Sequence, residues 1–329
     1  MSSPPQASTG PESPPAESSH GTDIELSQAP YMAFSGFAMG SADVVPGVSG
    51  GTMAVALGIY ARLLAAITSI DVPAVRALLR LDVTTVLARV HFRFLISLAV
   101  GVAMGIGVMV KVVKLPELIQ SSPQHVYAIF MGLVLASALM LGRQIGEWPP
   151  VRVAALIGGA ALGLLVVTAV PVDTPESPLF IFFCGLIAIC AMVLPGISGS
   201  FVLLILRKYA YVLGALSALD FAVIVPFALG CLVGITSFAR VITWAFEHAE
   251  KAVTAGLVGL LIGSLWRIWP YQELTVVMVR DKPRTIGAEP FIPQSLDVSV
   301  WGLFLVGIAM VVGLEVIARR RGHSLASDE

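Results

Sequence analysis

PGVSGG at residues 46–51 and PGISGS at residues 195–200 are the stretches on which the fold turns. Each interrupts a long apolar run with the residues least suited to a helix. The chain around them is 57% hydrophobic and 12% charged, with a mean hydropathy of +0.88. A soluble globular chain carries about twice that share of charge. Apolar stretches of the roughly 20 residues needed to cross a bilayer recur throughout. This predicts an all-α polytopic membrane protein, since a β-barrel would show short alternating segments. The net charge is −1 and no long basic run exists, which argues against a nucleic-acid partner. The three cysteines and five histidines are too scattered for metal-ligand spacing, so no metal or other cofactor is expected.

Working outward from the two breaks gives eight membrane segments, at about 31–67, 94–113, 126–142, 153–170, 179–206, 221–240, 252–269 and 299–318. Residues 1–28 are rich in Pro, Ser and Gly and read as a disordered tail. They show no signal-peptide pattern. Residues 270–297 form the longest polar connection, with a β-like patch at 274–279. GFAMGSADVVPGVSGGTMAVALGIYARLLAAI (36–67) lies without a gap over GLIAICAMVLPGISGSFVLLILRKYAYVLGAL (185–216). Pro46 meets Pro195, Ser49 meets Ser198, and Tyr60 meets Tyr209. The segments that follow correspond more loosely. The chain therefore reads as an internal duplication. The tail (1–28) is followed by a first membrane repeat (29–178), a second (179–320) and a C-terminal tail (321–329).

Each repeat is one Pro/Gly-broken segment plus three transmembrane helices. If the breaks dip in and return, the repeats are inverted; if they cross, the repeats are parallel. Counting Lys and Arg on each side does not separate the two. The re-entrant, inverted arrangement is favoured because it holds Arg319, Arg320 and Arg321 on the cytoplasmic side and does not translocate the N-terminal tail.

Non-helical backbone at membrane depth must face protein or a water-filled cavity. Proline ends the helix before it, and a new helix starting near Ser49 or Ser198 presents unpaired amides and a partial positive charge. Such an end suits an anion, and Ser49, Thr52, Ser198 and Ser200 add hydroxyls. Matched broken segments in two repeats point to a transporter with its site at the breaks. One such break alone would equally be a packing notch. Asp43 lies three residues before Pro46, where an intramembrane carboxylate suggests a coupling proton or sodium. Its counterpart is Met192. Arg62 and Arg207 follow the breaks and could meet a phosphate or anchor at the interface. No histidine lies near either break, which disfavours phosphatase chemistry, and the chain reads as a non-enzyme.

SADVVPGVSGGTMAVALGIYARLL, with the later LPGISGSFVLLILRKYAYVLGAL, resembles the bacterial polyprenyl-phosphate transporters, once labelled a family of unknown function. The resemblance runs from about Met32 to Arg319. It implies a flippase in the cytoplasmic membrane that recycles undecaprenyl phosphate or a similar lipid carrier for cell-envelope synthesis. It further implies that Pro46, Gly47, Ser49, Gly50 and Gly51 cradle the phosphate with Pro195, Gly196, Ser198 and Gly199. Ser200 stands where the first motif has Gly51. The residues themselves leave open an ion-coupled carrier of a small soluble anion.

Overall fold

The computed structural model describes residues 23–45, 48–70, 72–169, 174–279, 282–293, 295 and 297–325. Pro46, Gly47, residues 1–22 of the expected tail and residues 326–329 lie outside the described residues. The chain is all but entirely helical. In the first half run α1 (Ala29–Asp43), α2 (Gly50–Ala56), α3 (Tyr60–Thr68), α4 (Val72–Leu79), α5 (Val83–Arg89), α6 (Phe92–Lys111), α7 (Leu115–Ser121), α8 (Pro123–Gln144) and α9 (Pro150–Thr168). The second half follows with α10 (Pro178–Val193), α11 (Gly199–Ile205), α12 (Tyr209–Ala218), α13 (Phe221–Ser264) and α14 (Val298–Leu325). Between α13 and α14, β1 (Gln272–Val279) and β2 (Lys282–Pro290) pair as an antiparallel hairpin. The β-branched patch at 274–279 lies in β1.

α6, α8, α9 and α13 are long and apolar enough to cross a membrane. A straight helix of 44 residues would be about 66 Å long, twice the roughly 30 Å hydrocarbon thickness. Ala249 resolves this with non-helical backbone (φ −150°, ψ 45°) that divides α13 into two arms. The sequence separates those arms as two segments joined by a connection; the connection is this single residue. Two boundaries also shift. Asp23 accepts hydrogen bonds from the backbone N–H of Arg93 (2.8 Å) and Phe94 (3.1 Å), and Ile24 is buried, so residues 23 and 24 of the expected tail pack on the helices. α14 continues to Leu325, past the expected repeat end at 320.

The broken segments are hairpins. At the tip of the first, the Gly50 N–H donates to the Asp43 carboxylate (2.6 Å). At its base, the Tyr31 hydroxyl donates to the Leu57 carbonyl (2.8 Å), joining the start of α1 to the end of α2. α2 therefore runs back along α1. The second hairpin repeats this. Gly199 packs on the Ala188 carbonyl near the tip, and the Thr174 hydroxyl donates to the Leu206 carbonyl (2.6 Å) at the base. α3 and α12 then leave their hairpins at bends of 119° and 107°.

Glycines set the contacts of the long helices, allowing backbones to approach closely. Gly36 lies against the Leu98 carbonyl and Gly101 against that of Ala33, so α1 and α6 touch. Gly40 against Val102 and Gly105 against Phe37 extend the contact in the same direction, so the two run parallel. The second half matches it: Gly185 meets the Phe227 carbonyl and Gly230 that of Phe182, joining α10 to the first arm of α13. The remaining helices pair across the halves. Gly132 meets Phe304 and Gly307 meets Ile129, joining α8 to α14; Gly259 meets Leu156 and Gly159 meets Gly256, joining the second arm of α13 to α9.

Candidate functional site

The two hairpin tips touch. The Gly196 N–H donates to the Thr52 hydroxyl (2.9 Å), across 144 residues of chain. The Tyr60 hydroxyl donates to the Val193 carbonyl (3.1 Å). A Cβ on Gly51 would stand 3.3 Å from the Met192 carbonyl oxygen and 3.4 Å from that of Val193. Gly196 has φ +90°, a conformation open to glycine and strained for other residues. A Cβ there would also come within 2.9 Å of the Ser264 hydroxyl and 3.1 Å of the Leu260 carbonyl. The second arm of α13 thus closes directly on the second break. Of the expected site residues, the structure brings Gly51 and Thr52 of the first tip against the second, where Gly196 meets Thr52; Ser49 and Gly50 adjoin the contact on one side and Pro195 on the other, while Gly199 packs on its own hairpin.

The two tips differ in what they leave free. At the first, Gly50 N–H is held by Asp43, Gly51 N–H by the Ser49 hydroxyl (3.2 Å) and Thr52 N–H by the Ser49 carbonyl (2.9 Å). Ser49 and Thr52 are buried. The first helix end is therefore satisfied from within, where the sequence suggests an open helix end in each half. At the second, Ser198 does not cap α11; its hydroxyl pairs with that of exposed Ser200 (2.9 Å). Asp43 is itself exposed at the first tip, as is its counterpart Met192 at the second.

The two expected phosphate-binding arginines lie away from the tips. Arg62 donates to the Gln28 amide oxygen (3.2 Å), next to the start of α1 and so at the opposite end of that helix from the break. Arg207 is exposed at the corner between α11 and α12, at the far end of α11 from the motif, with φ 51°. Its neighbour Lys208 is buried and donates to the Thr174 carbonyl (2.7 Å), tying the base of the second hairpin.

Sequence reasoning missed Arg267, which is 4% exposed in the short 3-10 turn that ends α13. Its Nη1 donates to the Gln272 amide oxygen (3.1 Å), its guanidinium lies 5.2 Å from the Phe201 ring centre, and its Nη2 is buried with no partner among the described residues. In sequence it reads as one more basic residue at a segment end. The signal that could find it is its counterpart. Gly132 and Ser137 correspond to Gly259 and Ser264, which places Met140 opposite Arg267.

A family model described as undecaprenyl phosphate translocase-like matches residues 39–286, both breaks included. A polyprenyl-phosphate transporter of Vibrio cholerae is 34% identical over 296 residues, covering 87% of this chain and 96% of that protein. A polyprenyl-phosphate transporter of Staphylococcus aureus is 30% identical over 266 residues, covering 74% and 87%. No solved structure matches the chain.

Proposed function

The chain belongs to the undecaprenyl phosphate translocase-like family, and from that premise we propose that it moves a polyprenyl phosphate, undecaprenyl phosphate or a close relative, across the bacterial cytoplasmic membrane. The observation that carries this reading is the tip-to-tip contact of two re-entrant hairpins, Thr52 to Gly196, inside a bundle of membrane-length helices. Broken segments that meet away from the surface are where carriers place substrate and coupling ions. The matched pairings of α1 with α6 and of α10 with α13 support a repeated arrangement, which this reading takes as inverted, with one hairpin entering from each side. The Vibrio and Staphylococcus relatives are named as transporters, which supports transport over catalysis.

Within this reading the second tip, uncapped at α11, receives the phosphate. Asp43, a carboxylate exposed at the first tip, carries the coupling proton or sodium. The test is reconstitution into liposomes with polyprenyl phosphate in both leaflets, following leaflet exchange while pH and sodium are varied. Exchange that requires the protein and excludes the uncharged polyprenol is the expected outcome. Exchange of inorganic phosphate instead of the lipid would replace this reading by a soluble-anion carrier. Asp43→Asn keeps an oxygen to accept from Gly50 while removing the charge. It is expected to flatten the pH or sodium dependence while lipid binding persists, and an unaltered dependence would remove Asp43 from coupling.

A further inference from the structure

Arg267 is a buried cation to which no described acidic side chain comes within ion-pair distance. Taking a charge out of water is costly unless it is paired and hydrogen-bonded. Here the chain satisfies only part of the guanidinium. Gln272 takes Nη1 and is itself fixed, its amide nitrogen donating to the Trp269 carbonyl (2.6 Å) and the Arg267 carbonyl (3.3 Å). Phe201, in α11 directly after the second break, lies beside the guanidinium. Nη2 remains without a partner. On α8, which packs against the 3-10 turn that carries Arg267, fully buried Tyr127 also has a hydroxyl with no partner among the described residues. Two buried donors left unsatisfied on packed neighbouring elements are uncommon in a folded protein and call for a missing acceptor.

The neighbourhood fixes what the acceptor is. Ser264, one helical turn before Arg267, faces Gly196 of the second break. The opposite half has Met140 at the matching place, and the first break holds the carboxylate of Asp43. Negative charge is therefore built in at one tip, and an unpaired positive charge stands beside the other. Resting on the polyprenyl-phosphate reading above, we propose that Arg267 binds the phosphate monoester headgroup through its free Nη2 edge, with the Tyr127 hydroxyl as a second donor. An arginine pre-oriented by Gln272 suits a phosphate, whose oxygens accept strong charge-assisted hydrogen bonds.

The test uses the full chain in lipid nanodiscs, with native mass spectrometry against polyprenyl phosphate, polyprenol and inorganic phosphate, and melting measured alongside. Arg267→Met copies the residue of the other half and removes a buried charge, an exchange that is often neutral or stabilising. Tyr127→Phe removes an unsatisfied hydroxyl at constant shape. Both variants are expected to stay folded with unchanged or higher melting temperature. Each is expected to bind polyprenyl phosphate more weakly, Arg267→Met by roughly ten- to hundredfold, with polyprenol binding unaltered and Arg267→Lys intermediate. Wild-type affinity in folded Arg267→Met, or in both Arg267→Lys and Tyr127→Phe should Arg267→Met fail to fold, would overturn the assignment. If wild-type protein ignores the lipid but binds inorganic phosphate with the same dependence on Arg267, the lipid reading fails and the anion site stands. If it binds neither phosphate compound, both fall.

Discussion

Thr52 joins the two breaks through a single hydrogen bond. Its hydroxyl accepts from a buried backbone N–H of the other break. Thr52→Val keeps the shape and strands that donor, so a loss of about 1–3 kcal/mol in unfolding free energy is expected. Thr52→Ser restores the acceptor and should recover most of it; equal melting of Thr52→Val and wild type would remove the bond from the account. This contact was half legible beforehand. The motif around Thr52 stands out because Pro and Gly break an apolar run, and its second copy marks the partner. Which hydroxyl reaches which amide is a matter of tertiary packing that no spacing reveals. Arg267 was hidden for a different reason. A basic residue at the end of an apolar segment is ordinary, and only its burial beside Phe201 separates it from an interfacial anchor.

Among the elements, the long helices and the places of both breaks were legible because apolar length and a proline leave little choice; that each break folds back as a hairpin was only the favoured of two arrangements. α4 and α5 were not. Helices of eight and seven residues give too short a window for periodicity to register, and they hold through a small cluster of Ala74, Ala77, Val86 and Val90. β2 was equally hidden, since Pro283, Gly287 and Pro290 disguise a strand that exists by pairing with β1. α5 depends on its cap. Asp82 accepts from the Thr85 N–H (3.1 Å) and from the Thr84 and Thr85 hydroxyls, and these bonds hold its carboxyl below the usual carboxylate range. A lowered value means the folded form favours the ionised cap. Its contribution is complete above the ordinary carboxylate range and is lost as pH falls through the lowered value. The protection factors of the α5 amides, exchange rates corrected for the intrinsic pH dependence, should therefore be constant around neutral pH and fall only in strong acid. Asp82→Ala should show the lowered protection at every pH, and protection equal to wild type at neutral pH would contradict the cap.

For the molecule as a whole, the division of the sequence into two repeats does not divide the structure into two bodies. α1 pairs with α6 and α10 with α13 within a half, but α8 pairs with α14 and α9 with the second arm of α13 across halves. Chains cut in the α9–α10 connection should thus be unstable when expressed singly and recover together. The check is co-purification and a common melting transition, and a first half that is monodisperse alone would refute the interlocking. The same exchange of partners sets a clock on biosynthesis. The glycine faces of α8 and α9 enter the membrane early, while their mates in α13 and α14 are still to be translated. At bacterial elongation rates that wait lasts on the order of ten seconds. For that interval the faces are bare to lipid and to other nascent helices, so the membrane insertion machinery, or whatever else shelters them, must hold half of an unfinished protein until its second half arrives.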